Sequence, residues 1–158
     1  MIRILQYIFT LSAIILFSAC AKEENKVSSV PFGRVDFDIE TLIEHEFNNS
    51  FYWKKYMKVG YAGVIVISSN LQDVSVMNIY AYDLCCPYEA PIKNEIQVLS
   101  NRLHAQCPKC KTVYHIADGT GRVIPFKDGA GQIISTPGTE RLKRYNVIRE
   151  GTRFRIRN

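Results

Sequence analysis

Apolar and polar residues alternate along several short stretches of the chain, a pattern that predicts β-strands with one buried and one solvated face. Residues 35–40 alternate Val, Phe and Ile with Asp and Glu, and residues 153–157 alternate Phe and Ile with Arg. Residues 64–67 form a short β-branched Val-Ile-Val-Ile run, which predicts a further strand. These stretches predict a β-rich domain.

Further short strands are predicted between turn signals that recur about every 8–12 residues. They cover residues 76–82, 96–99, 103–105, 112–116 and 142–148. Residues 119–131 are rich in glycine and are predicted as an irregular loop, and residues 42–56 are the one helical candidate. Many short strands with no alternation of strand and helix predict an all-β fold, an antiparallel β-sandwich or barrel.

The N-terminus has the layout of a secretory signal. Arg3 precedes an apolar run over residues 4–17, and the small residues Ser18 and Ala19 lead directly to Cys20. This layout resembles the signal of bacterial lipoproteins. We therefore expect cleavage after Ala19, which would remove residues 1–19, and a lipid on Cys20.

The polar and charged composition of residues 20–33 predicts a flexible tether between the lipid and the domain. The acidic start of this segment resembles the surface-export signal of Bacteroidetes lipoproteins. Residues 34–158 are long enough for a single domain with one core. The expected location is a bacterial membrane, with the domain held by lipid at the periplasmic face or at the cell surface.

The chain is basic, with a formal net charge of +5. The excess lies towards the C-terminus, where residues 153–157 alternate arginine with apolar residues, so these charges are expected on the solvated face of a strand. We expect no nucleic-acid partner, because the protein is predicted to be exported. No Ser-His-Asp set, phosphate-binding glycine loop or paired carboxylates stand out, so a binding or carrier role is expected rather than catalysis.

Cysteines provide the strongest chemical signal in the domain. Cys85 and Cys86 precede Pro87 in one turn, and Cys107-Pro-Lys-Cys110 forms another turn about twenty residues later. Thiolates on two facing loops can hold a metal ion or an iron–sulfur cluster, close a disulfide, or perform thiol redox chemistry. Thiol oxidoreductases place Cys-x-x-Cys between a strand and a helix of an α/β fold, which this sequence does not predict.

The order of these turns and their neighbours resembles the Rieske iron–sulfur domain, over roughly residues 58–157. The turn at Cys86-Pro87-Tyr88 corresponds to the first cluster loop of that family, and the turn from Cys107 to Cys110 to the second. Further landmarks follow in the family's order: Tyr114, Asp118-Gly119, Thr136-Pro137-Gly138, Leu142 and Tyr145. The resemblance implies a Rieske-like fold with a small metal-loop subdomain at about residues 84–118.

The same resemblance implies a [2Fe–2S] cluster, electron transfer, and an unidentified redox protein or membrane oxidoreductase as partner. Its ligands would be Cys86, Cys107 and Cys110, with Cys85 as the candidate fourth. The sequence departs from the family at Tyr88 and Cys110, which occupy the positions of the two histidine ligands. A phenol with a pKa near 10 is a poor substitute ligand. Using both Cys85 and Cys86 would require a distorted turn, because adjacent strand residues face opposite sides.

Two alternatives to the cluster remain open. The same thiolates could hold zinc in a structural site, or Cys86 could form a disulfide with Cys107 or Cys110. Among the histidines, His104 lies three residues before Cys107 and is a weaker ligand candidate. His115 is expected to face solvent, if Tyr114 beside it faces the core.

Overall fold

The computed structural model describes residues 28–73, 76–127, 131–134 and 136–158. The predicted signal peptide and Cys20 lie outside the described residues. Within the described part of the chain, no helix is long and apolar enough to cross a membrane.

The described residues form an antiparallel all-β fold, which confirms the predicted fold class. Their strands are β1 (Asp36–Glu40), β2 (Trp53–Tyr56), β3 (Val64–Ser69), β4 (Asn78–Asp83), β5 (Gln97–Val98), β6 (His104–Gln106), β7 (Val113–His115), β8 (Val123–Ile124), β9 (Phe126–Lys127), β10 (Ile133–Ile134), β11 (Arg144–Glu150) and β12 (Arg153–Arg157). The helical element among these residues is a short 3-10 helix, His45–Asn48.

A curled six-stranded sheet forms the larger part of the fold, in the order β1-β12-β11-β4-β3-β2. Every residue of β3 is buried, because apolar clusters cover both of its faces. In β12, Phe154 and Ile156 are buried, while the alternating Arg153 and Arg155 are exposed and face acidic residues of β1. Exposed ion pairs of this kind contribute at most about 1 kcal/mol each.

A smaller four-stranded sheet, in the order β5-β6-β7-β8, carries the second cysteine turn between β6 and β7. The predicted loop over residues 119–131 contains two short strands, β8 and β9, and β9 pairs with β10.

The helix predicted over residues 42–56 is wrong. After one 3-10 turn, whose Phe47 is fully buried, the chain becomes strand β2 and pairs with β3 from Trp53↔Ile67 to Tyr56↔Val64. The edge of β3 offers these residues a hydrogen-bonded ladder, and that tertiary pairing overrides the local helical pattern.

The structure describes the last six residues of the predicted tether, 28–33, which we call the N-terminal strap. Val30 is only 2% exposed and packs into the apolar cluster that contains the cysteine turns. The Glu140 carboxylate accepts hydrogen bonds from both Ser28 and Ser29, and Lys143 Nζ donates to the Pro31 carbonyl at 2.8 Å. The strap therefore lies against the same end of the domain as the cysteines.

A buried carboxylate joins three parts of the chain at that end. Asp83, the last residue of β4, accepts hydrogen bonds from the backbone N–H groups of Tyr61, Ala62 and Cys85 at 2.7, 3.2 and 2.8 Å. The Tyr145 hydroxyl of β11 donates to it at 2.6 Å. Burial and the bond to Asp83 raise the pKa of Tyr145, so its hydroxyl remains a proton donor.

Replacing Asp83 by Asn should lower the free energy of unfolding by about 3–5 kcal/mol, because the amide nitrogen cannot accept the bonds that one carboxylate oxygen accepts from the Tyr61 N–H and the Tyr145 hydroxyl. Tyr145→Phe is the matched control, since it removes one donor and keeps the carboxylate, at a cost of about 1.5–3 kcal/mol. Urea unfolding followed by circular dichroism measures both values. A D83N midpoint no lower than that of Y145F would contradict the assigned role.

Candidate metal centre

Three cysteine sulfurs converge where the two sheets meet. Cys86 lies in the turn after β4, and Cys107 and Cys110 lie in the turn between β6 and β7. Their Sγ atoms all lie within 4.8 Å of one another, and the Cys86–Cys110 Sγ–Sγ distance is 3.7 Å. We call these three residues the cysteine triad.

Backbone hydrogen bonds close the first cysteine turn. The N–H of Cys85 donates to Asp83, and the N–H of Cys86 donates to the Asn94 carbonyl at 3.0 Å. Residues 86–94 therefore form a loop whose two ends are joined, with Cys86 at its buried base. This fixes the side on which the Cys86 sulfur emerges.

The second turn is a tight hairpin. Cys107 N–H donates to the Thr112 carbonyl at 2.9 Å, and Lys111 N–H donates to the Cys107 carbonyl at 3.0 Å. Lys111 has a left-handed backbone, with φ of 63°, which allows the chain to reverse. Burial raises the pKa of the Cys107 thiol, and the N–H groups of Cys110 and Lys109, which hydrogen-bond to its sulfur, oppose that increase.

Hydroxyl groups contact the other two sulfurs. Burial raises the pKa of Cys86 to about 12, and the Tyr114 hydroxyl, 3.2 Å from its Sγ, opposes that increase. Thr112 Oγ1 lies 3.1 Å from Cys110 Sγ and also accepts the N–H of Gly138 at 3.0 Å. Each triad sulfur thus has neighbouring N–H or O–H groups that can donate to a thiolate. These hydrogen bonds would stabilise the thiolates that bind a metal ion.

Sequence reasoning treated Tyr114 as a family landmark and a core aromatic, not as a neighbour of a cysteine sulfur, and did not identify Thr112. The available signal was the alternation of a strand, since residues 112 and 114 point to the same side. Both are buried, and this side of the hairpin faces the triad.

Cys85, the candidate fourth ligand, lies outside this group. Its thiol is directed at the backbone carbonyls of Ile92 and Cys86, at 3.5 and 3.6 Å, and burial raises its pKa to about 11. Tyr88 is 55% exposed and borders a surface cavity with Ser29 and Glu140. The structure therefore brings together three of the four predicted cysteines, and Tyr88 is not part of that cluster.

The histidines form a separate contact across the small sheet. His104 and His115 are directly opposite in β6 and β7, with ring centres 4.9 Å apart. His104 Nδ1 accepts from the Asn101 amide at 2.8 Å, so this side chain points away from the triad. The His115 side chain is only 17% exposed, against expectation, because His104 and the Asp118 carboxylate, 3.3 Å from Nδ1, cover it.

Comparison of the chain with protein-family models, curated proteins and solved structures finds no match. Three thiols that lie this close together, surrounded by donors, have the arrangement of ligands for a metal ion.

Alkylation of the metal-free, reduced protein with iodoacetamide at neutral pH should modify Cys110 first among the four domain cysteines. Cys110 is the one of these that is partly exposed, whereas burial keeps Cys85, Cys86 and Cys107 protonated and covered. Peptide mass spectrometry over time measures the order, with alkylation in denaturant as the control in which all react. Modification of Cys86 as fast as Cys110 would contradict this arrangement.

Proposed function

We propose that this protein binds a single thiophilic metal ion, Zn²⁺, through Cys86, Cys107 and Cys110. The observation that carries the proposal is the spacing of the sulfurs. Tetrahedral zinc with Zn–S bonds of about 2.3 Å places its sulfur ligands about 3.8 Å apart. The Cys86–Cys110 distance is 3.7 Å, and no pair in the triad exceeds 4.8 Å.

Such an ion would join the loop after β4 to the β6–β7 hairpin, and so connect the large sheet to the small one. Its fourth ligand would be water or a group from a partner molecule, on the side where Cys110 is partly exposed. The ion would also protect three neighbouring thiols from oxidation in an exported protein. We further propose that lipid on Cys20 holds the domain at a bacterial membrane.

A [2Fe–2S] cluster that transfers electrons is the second candidate. The facing cysteine turns and the order of landmarks that resembles the Rieske family favour it. That cluster takes four protein ligands divided between two irons. The described residues bring three sulfurs within reach of one metal atom, while Cys85 and Tyr88 point elsewhere, so a single ion fits the donor set better.

A disulfide is the third candidate. The Cys86 and Cys110 sulfurs are 3.7 Å apart, and a disulfide bond of about 2.05 Å would need only a modest movement of the hairpin.

Metal analysis and visible absorption of the protein purified without oxygen distinguish these candidates. One zinc per chain and no colour is the expected result. Iron with sulfide and charge-transfer bands would overturn the zinc assignment in favour of the cluster. Absence of metal, together with loss of the free thiols of Cys86 and Cys110, would support the disulfide.

Cysteine variants test the ligand set. Cys110→Ser should reduce bound zinc by at least about tenfold in competition with a chelator, because a serine hydroxyl does not provide a thiolate ligand. Cys85→Ser is the matched control, since this neighbouring buried cysteine lies outside the triad, and its zinc content should match the native value. Loss of zinc in C85S as complete as in C110S would contradict the three-cysteine site.

A further inference from the structure

Three large apolar side chains are exposed at the end of the domain that holds the cysteine turns. Phe32 of the strap is 76% exposed, Tyr88 55% and Ile92 63%. We call the surface formed by Phe32, Tyr88, Ile92, Lys93 and Lys143 the loop-end face. Exposed apolar residues that cluster in this way mark an interaction surface.

Contacts show that these side chains belong to one end of the molecule. Gly33, next to Phe32, packs so closely on the backbone at 60–61 that an added Cβ would lie 2.2 Å from the Gly60 carbonyl carbon. The Tyr61 hydroxyl donates to the carbonyl of Pro91, the neighbour of Ile92, at 2.6 Å. Tyr88 borders the same cavity as Ser29 of the strap.

Lysines accompany the exposed rings. Lys93 Nζ lies 4.7 Å from the centre of the Tyr61 ring, and Lys143 Nζ lies 5.8 Å from that of Phe32. The nearby carboxylates are already engaged, since Glu140 accepts the strap serines and Glu89 accepts the Asn94 amide at 3.2 Å. Aromatic and aliphatic side chains beside lysines are the composition of surfaces that lie in the headgroup region of anionic bilayers.

The chain that leads to a lipid on Cys20 leaves from this same end. Residues 20–27 can span at most about 29 Å when fully extended, at about 3.6 Å per residue. The strap holds Ser28 against Glu140, so the anchor keeps the loop-end face near the bilayer. Leu42 and Ile43, which are also exposed, follow the far end of β1, about 15 Å away along that strand.

We propose that the loop-end face docks on an anionic phospholipid bilayer and presents the cysteine turns to the membrane surface. This inference rests on the lipid anchor of the proposed function and is independent of which metal the triad holds. Phe32, Tyr88 and Ile92 enter the headgroup region, and Lys93 contacts lipid phosphates. Lys143, whose Nζ donates to the Pro31 carbonyl, holds the strap in place. A ligand or redox partner of the triad would then be a membrane-bound molecule.

Tryptophan quenching tests the orientation of the lipidated full-length protein in vesicles of phosphatidylethanolamine and phosphatidylglycerol. Ile92→Trp and Leu42→Trp replace one exposed apolar residue at each end, and the native Trp53 gives both the same background. Lipids with brominated acyl chains should quench I92W fluorescence and leave L42W at the level of the unsubstituted protein. Lys93→Glu in the I92W background should reduce that quenching, as should high salt.

Vesicle flotation of the same samples distinguishes failure of the lipid anchor from failure of the docking. Protein that floats with the vesicles but shows equal quenching of I92W and L42W, or none in either, overturns the docking and leaves the anchor intact. Protein that does not float overturns both the anchor and the docking. If neither K93E nor high salt changes the quenching of I92W, the proposed role of the anionic headgroups is overturned.

Discussion

The buried carboxylate of Asp83 is the interaction on which the geometry of the candidate site depends. It accepts hydrogen bonds from three backbone N–H groups and one hydroxyl. These donors belong to three separate segments: the turn at 61–62, the start of the first cysteine turn, and β11. A buried charge is tolerated only when it is fully hydrogen-bonded, so these segments have little freedom to move independently. The position of Cys86 follows from this constraint.

The cysteine triad balances two opposing effects. Burial disfavours thiolates, as the raised pKa values of Cys86 and Cys107 indicate. The amide and hydroxyl groups around the sulfurs stabilise the same thiolates once a cation compensates their charge. The three thiols are positioned to bind a metal ion, and a bound ion would stabilise the fold by an amount set by its affinity.

Sequence reasoning located most of the strands because residue type and alternation are local signals. It identified the alternation that became β1 and β12 and the β-branched run that became β3. It was wrong at residues 42–56, where pairing with β3 decides the conformation, and it treated β8 and β9 as loop because two-residue strands have no periodicity to detect. The burial of His115 likewise depends on a neighbour across the sheet, His104.

The sequence by itself determined the all-β class, the two cysteine turns and the chemistry that thiols can perform, since residue type and spacing carry that information. Only the tertiary structure decided which cysteines lie together. Cys85 and Cys86 are adjacent in sequence, yet backbone bonds to Asp83 and Asn94 direct one sulfur towards loop carbonyls and leave the other within 3.7 Å of Cys110. The physical reason is that a ligand set is a matter of side-chain direction, which long-range hydrogen bonds fix and local sequence does not.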